Sequence, residues 1–430
     1  MIIARTSIAR WQTILLWTIG YLLAIAAPGH GGAVELTFMT WFAGGGRTLE
    51  KHEALIDRFE ELHPGITVQM LQVGYGGYGE RLLTQIAGGA GPDVVAIPYQ
   101  DFPAFARAGA LVSLEKWLRS DREVNVDDIF PSAWPAVTYE GVRYGLPFDL
   151  SAQWMAYVPE LFSQAGLDDP IALYQRGAWD WTHLREAATK LTRRDPRGAP
   201  TQIGMILQFD EIMGQPWLYQ TGTTPFTPDL ESARLTDPRI RDALEFLRQM
   251  AVDEGTLLGA WSSPVADPKT GHFGVWPQWI TIPYFFEGAP FRANIVPAVE
   301  GPVGRVTTGH IHSISIWTGS SHPEEAWEFT KFLTGPVGYR YVIEQGLAPL
   351  RRSLASYYVE QVSGTVGFDG ARLFLADIGR FRLYQITPEW MRVRGVILDG
   401  LAPVWQGSKP LEVALEEIQA GINAILAEAR

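Results

Sequence analysis

Between Val34 and Ile97 the apolar residues change their spacing four times, and this alternation constrains the fold more than any single motif. Residues 35–40 read as a short apolar strand. Leu49, His52, Leu55, Ile56, Phe59 and Leu62 then recur at helical spacing until Pro64-Gly65 stops the helix. Residues 66–73 form a second strand, 81–87 a second helix ended by Gly88-Gly89, and 94–97 a third strand. Strands that alternate with helices make a parallel sheet wrapped by those helices, so the fold class is α/β. Further helices are expected over 181–191, 237–252, 323–333 and 411–426, with Ser321 and Glu324 at capping-box spacing. A chain of 430 residues is too long for one hydrophobic core. No Gly/Ser-rich linker divides it, so two domains joined by several chain crossings are expected.

Ahead of the first strand, Arg5 and Arg10 precede an apolar run over 14–27 that ends in small residues. This is the pattern of a secretory signal peptide, over 1–33, and the run is short for a bilayer span. Cleavage beside Ala24-Ile25-Ala26, or after Ala33, leaves a mature chain that starts near Val34. Cysteine is absent, so neither disulfides nor a lipid-modified Cys is available, and a freely diffusing periplasmic protein is expected. The net charge of -12 disfavours nucleic acid and anionic membranes as partners. Trp (16 residues) outnumbers Tyr (15). Such flat aromatic faces suit the C–H faces of sugar rings, although most Trp residues in any chain serve the core.

A series of short segments in a fixed order carries a family resemblance. These are Phe38-Met39-Thr40-Trp41, His63-Pro64-Gly65-Ile66, Gly91-Pro92-Asp93-Val94, Gly109-Ala110-Leu111, Ala165-Gly166-Leu167 and Ser321-His322-Pro323-Glu324-Glu325-Ala326-Trp327. With them the chain resembles the extracellular solute-binding proteins of ABC importers, the maltose-binding-protein-like group. It departs from that pattern at Tyr157-Val158, where the family has Tyr-Asn, and over 271–276. The resemblance implies a two-lobed periplasmic binding protein fold with three inter-lobe crossings and a ligand cleft between the lobes. It implies one lobe from 34–147 plus 298–334 and another from 148–297 plus 335–430. It further implies a monomeric binding protein and not an enzyme, with no cofactor, that delivers a mono- or oligosaccharide to the permease subunits of an ABC importer. An exported carbohydrate-active enzyme and a binding protein for a phosphorylated polyol stand as alternatives.

Candidate ligand residues follow from the same alignment of segments. Gly74-Tyr75-Gly76-Gly77-Tyr78-Gly79 matches a dinucleotide fingerprint literally, but two Tyr occupy positions where a pyrophosphate must approach backbone. The resemblance places this loop at the cleft, with Tyr78 as a ring-stacker and Tyr75 at the rim. Trp41 ends the first strand ahead of the small residues 43–46, and Gln100 and Asp101 follow the third. Asp149 lies at the first crossing, with Ser151 beside it. In the second lobe Trp217, Trp279 and Trp390 fall where the family has cleft aromatics, with core packing as the alternative for each. Arg351 is expected near the cleft, where it can pair with an acidic substituent. His310 and His312 share one strand face; a metal site there needs a third ligand that the sequence does not supply, so they read as cleft hydrogen-bonders.

Overall fold

The computed structural model describes residues 33–430 except 42–45, 75–76, 210–211, 213–214, 280–285, 287, 345–346 and 378–380. The expected signal segment over 1–32, Tyr75 and the small residues 43–45 lie outside the described residues. Among the described residues no helix is long and apolar enough to cross a membrane.

The N-terminal alternation folds as its periods require. Strands β1 (Val34–Thr40), β2 (Ile66–Gln72) and β3 (Val94–Ile97) pair in parallel, with β1 in the centre. Helix α1 (Gly46–Leu62) turns Leu55, Ile56 and Phe59 into the core, and Gly65, at φ 104°, reverses the chain into β2. Helices α2 (Tyr78–Ala87) and α3 (Phe102–Arg107) connect and follow the next strand. In the middle of the chain, α4 (Trp181–Leu191) is capped by Asp180, which accepts from the His183 backbone N–H. The expected helix over 237–252 splits into α5 (Pro238–Arg248) and one π-helical turn over 249–253. Helix α6 (Pro323–Thr334) lacks the expected capping box. Its N-cap is His322, and the Glu324 carboxylate turns outward to Lys116 and the indole N–H of Trp117.

The sheet is mixed and not purely parallel. Strand β4 (Leu146–Tyr157) is its longest, and it is followed by β5 (Pro200–Leu207), β6 (Phe273–Trp279), β7 (Asn294–Val296) and β8 (Thr308–Ile316). The order is β2-β1-β3-β8-β4-β6-β5. Strand β8 runs antiparallel to both β3 and β4, and β6 runs antiparallel to β4. β4 therefore serves two sheets in turn: residues 146–152 pair with β8, and residues 153–157 pair with β6 and β7.

Residues 297–306 lie against the β5–β6 side, through Trp179 Nε1 donating to the Pro297 carbonyl and Gln220 Nε2 to that of Val299. Helix α7 (Pro336–Glu344) packs on α1, where the Tyr341 hydroxyl meets His52 at 2.7 Å. Arg351 is fully buried in the same region. Its guanidinium donates to the carbonyls of Thr334 and Val124, 3.5 Å from the Asp128 carboxylate. Helices α8 (Trp390–Trp405) and α9 (Leu411–Glu428) pair with each other, and α9 also packs on α5.

Candidate functional site

The alternation of β4 builds the floor of the site. Asp149, Ser151 and Gln153 project from one face, while Leu150, Ala152 and Trp154 project from the other. In antiparallel pairs, directly opposed residues share a face. His312 opposes Asp149, His310 opposes Ser151, and Trp279 opposes Gln153. Six side chains from three strands thus converge where β4 changes its partner strand.

Aromatic rings extend this floor in both directions. Toward β1, His312 meets Trp41 edge-on at 5.0 Å between ring centres, and Trp41 meets Tyr78 at 5.0 Å. Toward the other side, His310 contacts Trp279 at 4.5 Å, Trp279 contacts Tyr384 at 5.7 Å, and Tyr384 contacts Trp390 at 6.3 Å. Tyr99, just beyond β3, closes the gap: its hydroxyl donates to the Tyr384 carbonyl at 2.8 Å. Trp41 and Tyr99 follow the C-terminal ends of parallel strands, the edge at which open α/β sheets bind ligands.

Three members of this group have buried polar atoms without a hydrogen-bond partner among the described residues. They are both amide atoms of Gln153, Nε1 of Trp279 and Nδ1 of His310. Burying such atoms unpaired costs about 1–3 kcal/mol each, so each of these groups would gain from a further hydrogen-bond partner.

Electrostatically the floor is quiet. Burial raises the Asp149 carboxyl above the usual carboxylate range, against the opposing pull of His312 and its backbone N–H. Burial also holds His312 down, offset by Asp149, and holds His310 well down, aided by His312. The Tyr99 backbone N–H donates to His312 Nδ1 at 3.0 Å, which places that ring's proton on Nε2. Asp101, at the start of α3, is pushed up to about 7 by burial and by Glu80, while Arg394 opposes the shift. Among the described residues no group of three or more His, Asp or Glu is arranged to hold a metal ion.

The structure brings Trp41, Tyr78, Asp149, Trp279, His310 and Trp390 into one continuous group, with Gln100 and Asp101 in the turn beyond β3. Three expected roles change. Tyr78 has no open ring face: it is 1% exposed and shares its hydroxyl proton between the Met39 and Ala96 carbonyls, bracing β1 against β3 beneath Trp41. Trp217 is wholly buried in a separate aromatic group, 5.8 Å from Trp181 and 6.4 Å from Phe246. Arg351 spends its donors on backbone carbonyls away from the rings, because the only way to bury a guanidinium is to satisfy it. Sequence reasoning missed Gln153, Tyr99 and Tyr384. The Asp-x-Ser-x-Gln alternation over 149–153 is the signal that marks the first of these.

Comparison with known proteins agrees with this architecture. A Brucella abortus (strain 2308) protein, named for binding without a stated ligand, is 26% identical over 436 residues, covering 97% of this chain and 99% of its own. The mannitol-binding protein of Pseudomonas aeruginosa is 32% identical over 138 residues, 32% of this chain and 30% of its own. Among solved structures, an ABC substrate-binding protein from Listeria monocytogenes in complex with cycloalternan superposes with a TM-score of 0.81 at 21% identity. The match covers 92% of this chain and 99% of that one. The two-lobed periplasmic binding protein fold is thus established, and the family model for bacterial extracellular solute-binding proteins matches residues 47–339, so this chain belongs to that family.

Proposed function

We propose that this protein is exported by its N-terminal segment to the periplasm, as a monomer, where it captures an uncharged carbohydrate or polyol between its lobes and delivers it to the permease of an ABC importer. The observation that carries the ligand class is the set of unpartnered buried atoms on Gln153, Trp279 and His310 among aromatic rings. Sugar hydroxyls supply the missing partners while indole and phenol faces cover the C–H faces. The named ligands of relatives, cycloalternan and mannitol, support the class and differ in size. The phosphorylated-polyol alternative loses its main support with Arg351, whose charge is already engaged.

Two lobes closing on such a ligand suit a division that follows the observed contacts: one lobe over 34–147 with about 307–351, and the other over 158–306 with about 355–430, with β4 as the first crossing. Calorimetric titration with a panel of neutral mono- and oligosaccharides and polyols tests the reading. Saturable binding of one member, with no new reducing ends on prolonged incubation, is expected. Binding confined to anionic ligands, or hydrolysis of an oligosaccharide, overturns it.

A further inference from the structure

The rim of the cleft carries an ion pair of opposite parentage. Arg107 ends α3, beyond β3, and its guanidinium pairs with the carboxylate of Glu389, the residue that precedes α8 on the other side. The Arg side chain is 45% exposed and the Glu side chain only 8%. The asymmetry decides how the pair acts. In the closed arrangement Glu389 has lost most of its water, and an unpaired buried carboxylate is costly, so the closed form needs Arg107. When the lobes part, water reaches Glu389 and Arg107 becomes dispensable.

We propose that Arg107 and Glu389 form an electrostatic latch that holds the two lobes closed in a substantial fraction of molecules before any ligand arrives. This rests on the reading of a cleft that opens and closes, and is independent of the ligand being a carbohydrate. The latch sets the affinity for whatever binds, because a ligand that finds its closed site already populated loses less free energy to conformational change.

The test uses the full ligand-free chain. The sequence contains no cysteine, so Ala54→Cys and Lys190→Cys, at exposed positions on either lobe, carry one nitroxide each. Distance distributions are then recorded by pulsed electron resonance in this background, in Arg107→Glu, in Glu389→Arg, and in the double exchange. Each single reversal turns attraction into repulsion and is expected to shift the closed-to-open ratio by on the order of tenfold toward open. The double exchange restores it to within about threefold. Raising salt from about 0.1 to 1 M acts in the same direction as the single reversals. Circular dichroism of each variant confirms folding. A starting protein found only in the open distribution overturns the latch, as do single reversals without effect. Failure of the double exchange to recover, with both single variants folded and open, overturns it equally, since the two side chains then act separately. None of these readouts requires a sugar, so failure of the carbohydrate reading leaves the result standing.

Discussion

Replacing Gln153 by Met separates a ligand-contacting amide from a structural one, because the two roles move stability in opposite directions. Gln153 is 1% exposed, and its donor and acceptor are both without partners among the described residues. Met has a similar unbranched length and no amide, so Gln153→Met removes the unpaired groups without opening a large cavity. Relief of the buried amide should stabilise the ligand-free protein by about 1–3 kcal/mol. At an unfolding entropy of about 2.1 cal/mol/K per residue over about 400 residues, this corresponds to a rise in midpoint of roughly 1–4 °C. The same change deletes the partner of a ligand hydroxyl and should weaken binding by about 1–3 kcal/mol, roughly 5- to 150-fold. Scanning calorimetry on the free protein and titration calorimetry with the identified sugar measure both. A lower midpoint with unchanged affinity refutes the reasoning, since the amide would then be satisfied within the protein and the polar face of β4 would be structural.

Two further outcomes follow from the same geometry. Trp279→Ala should weaken binding by about 2–4 kcal/mol, roughly 30- to 1000-fold, whereas retained affinity with the stability loss of a 3–5 kcal/mol core truncation would assign the ring to packing. Asp101 has a folded pKa raised to about 7 from 3.8, so the folded state binds its proton more tightly, and the contribution to stability is largest below about pH 4 and lost as pH rises to about 7. Asp101→Asn should therefore match the parent protein near pH 4 and exceed its melting temperature increasingly up to pH 7, a gap that thermal melts at several pH values would show or exclude.

The elements that proved legible in the sequence are those whose two faces meet different surroundings. Helix α1 and strands β1 and β2 alternate between core and less buried faces, and the short wholly apolar run Val94–Ile97 and the helix Trp181–Leu191 have the bounds that their patterns predict. The antiparallel placement of β8 was not legible. Its partner β3 lies more than 200 residues earlier, and nothing local specifies the direction of a strand returning across a lobe crossing. β4 was missed for a different reason. All twelve of its residues are buried, so its polar alternation reports on a site and not on solvent. Cleft aromatics assigned by resemblance divided according to what encloses each ring. Trp41, Trp279 and Trp390 join the ring group, while the Tyr78 hydroxyl is held by two carbonyls and Trp217 is enclosed by Trp181 and Phe246. Spacing along a chain does not carry that distinction, because it depends on which distant elements pack around each ring after folding.

That one strand serves both as crossing and as floor has a consequence for how binding drives closure. A ligand can shift an open–closed equilibrium only through contacts that differ between the two states. Asp149, Ser151 and Gln153 sit where β4 passes from β8 to β6, at the first crossing of the proposed lobes, so on hinge closure their positions are expected to change least. Tyr99 on one side and Tyr384 on the other lie along the arms, joined by ring contact at 5.2 Å and by the Tyr99 hydroxyl on the Tyr384 carbonyl, contacts that parting of the proposed lobes would break. The floor residues therefore select the ligand in either state, through hydrogen bonds of fixed geometry. The arm residues supply the difference in affinity between open and closed, while the Arg107 and Glu389 pair at the rim shifts the balance of the two forms before ligand arrives. Substitutions on the floor should thus change which ligand binds while leaving the closed fraction at saturation intact, and substitutions on the arms should change the closed fraction for every ligand alike.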